Sequence, residues 1–111
     1  MKISQRYEKD VTIFVLEGRV DSEGAMQLEK TLQAAVEAGE TRIVLDMSEV
    51  QYMNSAALRT LADIITKTRD KDGDMKLAGL QPKVRRVLQI VGFDRFSSVH
   101  ETLESALADF A

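Results

Sequence analysis

Along the chain the apolar positions change period several times, and each change predicts an element. In KISQRYE apolar and polar residues alternate, with Ile3, Gln5 and Tyr7 on one side, as in a strand. Lys9-Asp10 offers a tight turn into VTIFVLEG, where Val11, Ile13 and Val15 oppose Thr12, Phe14 and Leu16. This second arm of a hairpin is apolar on both faces, so it belongs inside a sheet. GRVDSEGAM reads as a loop closing on a helix start, and EGAMQLEKTLQAAVEAG carries Met26, Leu28, Leu32, Ala35 and Val36 at helical spacing up to Gly39. TRIVLDM is a buried strand and SEVQYM a link. The helix that begins near Ser55 has Leu58, Leu61, Ala62 and Ile65 as its inner stripe, with Ile64 at the margin, and ends in KTRDKDGD.

MKLAGL is a further short strand, and QPKVRRVLQIVGF a helix opened by Pro82 and closed at Gly92. RFSSVHE reads as a last edge strand, and TLESALADFA as a closing helix capped by Thr102. Strands alternating with helices require crossover connections, hence a largely parallel sheet extended by the antiparallel hairpin. The expectation is an α/β fold. It has a mixed sheet of four to five strands, an N-terminal antiparallel hairpin followed by largely parallel strands, and about four packed helices. Residues 1–111 read as a single domain, since their length suits one core of ordinary size.

Composition narrows the chemistry. Cysteine is absent, which excludes disulfides and thiolate catalysis. A net charge of −3 with a pI near 5.2 argues against a nucleic-acid partner. No apolar run approaches the ~20 residues that span a bilayer, and MKISQRYEKD lacks a signal-peptide core, so the expectation is a cytoplasmic protein without membrane contact. The single histidine, His100, has no acid partner visible in the sequence and reads as an incidental strand-end residue. Phosphate-loop, nucleophile-elbow and metal-ligand spacings are absent, so no enzyme activity and no cofactor are expected. A phosphoacceptor receiver domain would use Asp46, but Glu17 and Asp21 do not form the adjacent acidic pair it needs. Asp46 reads instead as a brace for the following turn. Lys83, Arg85 and Arg86 cluster on one predicted helix, as a solvated face or a surface for an acidic partner.

Three segments carry a family resemblance: GRVD (Gly18 to Asp21), IVLDMSEVQYMNSAALRTL (Ile43 to Leu61) and GDMKLAGLQPKVRRVLQIVGF (Gly73 to Phe93). In order and spacing they resemble the signature blocks of bacterial anti-sigma factor antagonists, the STAS domains. The resemblance implies a STAS-like fold and a phosphorylated serine in an Asp-Ser-Ser/Thr-Gly-Leu-Gly turn. Laid over this chain, Asn54 stands in the Asp position and Ser55 in the phosphoacceptor position. Ala56 replaces the second hydroxyl residue, Ala57 a glycine and Arg59 the last glycine, while Leu58 matches. Asp21 is implied to lie near the phosphorylation site.

The resemblance also implies a partner switch. The unphosphorylated protein would hold an anti-sigma factor that is also a serine kinase, phosphorylation of Ser55 would end the complex, and a PP2C-type phosphatase would restore it. No oligomer beyond a monomer is demanded. Arg59, one turn along the helix, could help hold a phosphate on Ser55. Read from the residues alone, Ser55 or Asn54 is a helix cap. A STAS scaffold without phosphorylation, serving a transporter or another signalling complex, and a small-molecule-binding α/β domain both remain open at this level.

Overall fold

The computed structural model describes residues 1–111. The opening alternation forms β1 (Lys2–Glu8) and β2 (Val11–Val20), paired antiparallel from Lys2 opposite Glu17 to Glu8 opposite Val11. The turn between them places Lys9 at φ +54°. Then come α1 (Ser22–Glu37), β3 (Arg42–Met53), α2 (Ser55–Asp70), β4 (Asp74–Ala78), α3 (Pro82–Ile90), α4 (Phe93–Phe96), β5 (Val99–His100) and α5 (Leu103–Asp109). The sheet order is β1-β2-β3-β4-β5, with every pair after the hairpin parallel. This is the expected mixed sheet. Its order also differs from the 2-1-3-4-5 order of receiver-type folds.

One face of the sheet carries the larger core, where Phe14, Leu16, Leu45 and Met47 meet Leu28 and Leu32 of α1, Leu61 and Ile65 of α2, and Val84 and Leu88 of α3. The opposite face is smaller: Val11, Ile13, Val44 and Ala78 pack with Ala106 of α5. Polar ties hold α5 there. Lys76 Nζ lies 2.7 Å from Asp109 Oδ2, and Arg42 donates to the Phe110 carbonyl at 2.7 Å. Lys76 and Arg42 also face the Phe110 ring, at 4.6 and 5.2 Å from its centroid. No helix of the structure is long and apolar enough to cross a membrane.

Several boundaries differ from the sequence expectation. The segments GRVD and SEVQYM are not loops: β2 continues through Val20 and β3 through Met53. Between Val15/Glu17 and between Gly18/Arg19 the register shifts, each time with one extra residue on β3. These bulges space the buried side chains Met47, Val50 and Met53 by three residues instead of two, which hides the strand period. Gly18, at φ +112°, supplies backbone freedom beside the second shift. Asp46 sits within the strand, where its carboxylate accepts from Ser48 N (3.1 Å) and Ser48 Oγ (2.8 Å) and so braces the first bulge.

The helices number five, because α4 follows Gly92, whose left-handed φ of +75° ends one helix and starts the next. In α1, Met26 is 72% exposed, lying off the buried stripe of Ala25, Leu28, Leu32, Ala35 and Val36. In α2 the buried stripe is Ala57, Thr60, Leu61, Ile64, Ile65 and Thr68; Leu58 and Ala62 sit half-buried on its flank. His100 does have an acid partner. Its Nε2 lies 3.3 Å from Asp109 Oδ2 and 2.9 Å from Ser98 Oγ, and its Nδ1 lies 3.0 Å from Ser105 Oγ. The Lys76 ammonium, by hydrogen bond and charge, with His100 beside it, holds the Asp109 carboxyl below the usual carboxylate range.

Candidate functional site

Because β2 and β3 are parallel neighbours, α1 and α2 start side by side at the same edge of the sheet. Each start is capped by the residue before it. Asp21 caps α1, its Oδ1 accepting from Gly24 N at 2.9 Å. A Cβ on Gly24 would lie 3.0 Å from the Arg19 carbonyl oxygen, so any larger residue here would press on the end of β2. Asn54 caps α2, its Oδ1 accepting from Ala57 N at 3.0 Å. The two turns are also tied together. Asn54 Nδ2 donates to Ser22 Oγ at 3.2 Å, and Asn54 N donates to the Val20 carbonyl at 3.1 Å.

This division of labour answers which of Asn54 and Ser55 is the cap. Asn54 does the capping, and Ser55, the first residue of α2, is exposed with a hydroxyl that makes no hydrogen bond within the chain. Ala56 is half-buried and Ala57 fully buried beneath it, so small side chains let the first turn of α2 sit close to the sheet. Arg59, four residues on and therefore on the same side of the helix as Ser55, is exposed and forms no ion pair. It borders a groove of about 290 Å³ between α1 and α2, together with Ser22, Ala25, Met26, Glu29, Ala56, Thr60 and Asp63.

Asp21, Asn54, Ala56, Ala57 and Arg59 thus fall around Ser55 or directly beneath it, with Asp21 joined to the group through Ser22. Two further residues at this end of the sheet carry no signal in the sequence, and a third, Met26, stands outside the stripe expected of it. Arg19 and Tyr52 are cross-strand partners, with the Arg19 guanidinium 4.2 Å from the Tyr52 ring centroid, and Met26 projects at the groove. For Arg19 and Tyr52 the hidden signal was the bulged register; for Met26 it was one residue of helical phase. The basic residues of α3 lie elsewhere on the same molecule: Arg85 reaches Glu101 at 3.7 Å, while Lys83 and Arg86 are exposed.

Comparison with known proteins gives a consistent result. A profile of the STAS domain matches residues 2–106. BtrV of Bordetella bronchiseptica, which bears the provisional name of an anti-sigma factor antagonist, is 37% identical over 110 residues, covering 99% of this chain and 95% of its own. A crystal structure from Thermotoga maritima, provisionally described in the same way, superposes with a TM-score of 0.92 at 23% identity, covering 96% of this chain and 92% of that one. SpoIIAA of Bacillus, described in its phosphorylated form, superposes with a TM-score of 0.76 at 18% identity over 99% of this chain and 100% of its own.

Proposed function

The chain belongs to the STAS domain family, and from that premise we propose that it is an anti-sigma factor antagonist acting by partner switching at Ser55. The observation that carries the reading is the free Ser55 hydroxyl beside a helix already capped by Asn54. A serine that also capped the helix would have to give up that bond on modification; this one does not.

In the unphosphorylated state, the surface around Ser55 is presented to an anti-sigma factor that is itself a serine kinase. Holding that protein leaves its sigma factor free. The kinase supplies ATP: the bond from the γ-phosphorus to the bridging oxygen breaks, ADP leaves, and the γ-phosphoryl group joins Ser55 Oγ as the hydroxyl proton passes to a base on the kinase. The product carries about −1.5 to −2 additional charges at neutral pH. A partner surface shaped for the neutral hydroxyl then meets a dianion. Weakening the complex a hundredfold takes ~2.7 kcal/mol, well within the cost of placing such a charge in a desolvated interface. A PP2C-type phosphatase returns the serine by hydrolysis. That a protein of the same fold is described in phosphorylated form supports a fold that survives the modification.

The test is a paired capture from host lysate with wild type, Ser55→Ala and Ser55→Glu as baits, each shown to be folded. Wild type and Ser55→Ala are expected to retain an ATP-binding serine kinase that Ser55→Glu releases. Equal retention of the same proteins by all baits would sink the switch and leave a constitutive scaffold.

A further inference from the structure

We infer that the outer side of α3 is a second docking strip on the same side of the molecule as Ser55, fitted to an acidic segment with apolar side chains on the partner protein. The inference rests on the partner-switch reading for the identity of the occupant but on separate residues for its chemistry. Helix α3 contains three cations and no acid in a chain of net charge −3. Arg85 is occupied by Glu101, but Lys83 and Arg86 have no ion pair or hydrogen bond. Below them, Val87 is 39% exposed, Ile90 73% and Val91 58%.

These residues form one continuous strip, because Lys83, Arg86, Val87, Ile90 and Val91 are linked by steps of three and four. The buried side of the helix is served by Val84 and Leu88 alone, so the strip has no role in the core. Scattered exposed apolar residues need no explanation, whereas a contiguous set rimmed by unpaired cations is a docking signature.

Position links the strip to the switch. Helices α2 and α3 come after neighbouring parallel strands, so their first turns share one edge of the sheet. The bulged end of β3 bridges the gap: Gln81 Nε2 donates to the Ser48 carbonyl at 2.8 Å, and Gln51 faces Gln81, Pro82 and Lys83 across an open cleft. From Lys83 to Ile90 the helix then runs roughly 10 Å away from that edge. A partner seated over Ser55 and continuing across this cleft meets cations first and apolar side chains next. Its matching segment must therefore carry carboxylates and then aliphatic or aromatic groups. An anionic bilayer is the weaker fit, since the chain as a whole is negative and the strip is a single short helix.

The partner retained by wild type is purified and titrated against wild type, Ser55→Glu, the double variant Lys83→Glu/Arg86→Glu, and Ile90→Ser. All substituted side chains are exposed, and equal melting temperatures verify the folds. The charge reversal is expected to weaken binding at least about tenfold and to flatten its salt dependence, and Ile90→Ser to weaken it several-fold. Unchanged affinity of both α3 variants overturns the strip while leaving the switch intact. Loss of affinity in those variants with none in Ser55→Glu leaves the strip and removes the switch. Retention of no protein by wild type removes both. Two further arms address other occupants: co-sedimentation with phosphatidylserine vesicles that is lost in the charge reversal, or self-association lost in Ile90→Ser, would each overturn the assignment to a protein partner.

Discussion

The separation of cap from candidate acceptor makes a quantitative prediction. Asn54→Ala removes the Oδ1 acceptor of Ala57 N and the donor to Ser22 Oγ, bonds of 3.0 and 3.2 Å. Loss of an N-cap costs typically ~1 kcal/mol, and the exposed side-chain bond adds only a few tenths. Ser55→Ala removes a hydroxyl without a partner and puts a better helix former at the first position of α2, so its effect stays within about 0.5 kcal/mol. Asn54→Asp retains the acceptor and places a carboxylate at the helix N-terminus, so it is neutral or stabilising by some tenths of a kcal/mol. Urea unfolding is the suitable assay. The chain has no Trp, so far-UV circular dichroism is the better probe than fluorescence. With a slope of about 1.3 kcal/mol per molar, Asn54→Ala should lower the midpoint by about 1 M and Ser55→Ala by less than about 0.4 M. The reasoning is refuted if Ser55→Ala is the more damaging substitution, for then the hydroxyl is the cap and its modification would disturb the helix.

Other substitutions probe ties elsewhere in the fold. Gly73→Ala places a Cβ 2.0 Å from the Thr41 carbonyl oxygen, so backbone must move; a loss of about 2–4 kcal/mol is expected, measured by the same unfolding assay. A mild effect, below about 0.5 kcal/mol, would contradict the packing of the α2–β4 turn. Asp109→Asn tests the tie that holds α5. The carboxyl is held low by Lys76, so its stabilisation is complete above about pH 4, the unfolded value, and is lost as pH falls through the lowered folded value. Thermal melts should show wild type more stable than Asp109→Asn at neutral pH and the difference shrinking below about pH 4. A difference that stays constant into acid would refute the tie.

What could be read in advance was local. A cap at Asn54 or Ser55, Pro82 in the first turn of α3 and the cap at Thr102 depend on residues a few positions apart, and each marks the helix start found. The sheet's alternating connections were legible for the same reason, since crossover topology is set by element order. What escaped depended on distant partners or on a shifted phase. The second half of β3 is a strand only because β2 lies beside it and two bulges absorb the register, and that pairing leaves no period-two trace in SEVQYM. Likewise His100 acquires Asp109 only once α5 folds back across the sheet. At the candidate site, the caps were visible as a pair of polar residues, but not which one bonded. That choice was made by the Ala57 amide and by Ser22 from the neighbouring turn.

The same arrangement explains how a modification at Ser55 can be separated from folding. Beneath the serine, Ala57, Leu61 and Ile65 are fully buried, and the cap and inter-turn bonds belong to Asn54. A charge added at Ser55 therefore projects outward from a helix whose anchors are elsewhere, at the end where the helix dipole favours an anion. With Arg59 unpaired on the same side, a phosphate would also find a cation one turn away. In the proposed switch both effects would lower the cost of the phosphorylated state in the free protein while the dianion would raise the cost of the complex. The free energy of the modification would then fall on binding. Phosphorylation at an Asn54-like position would instead break the ties that hold the two turns together.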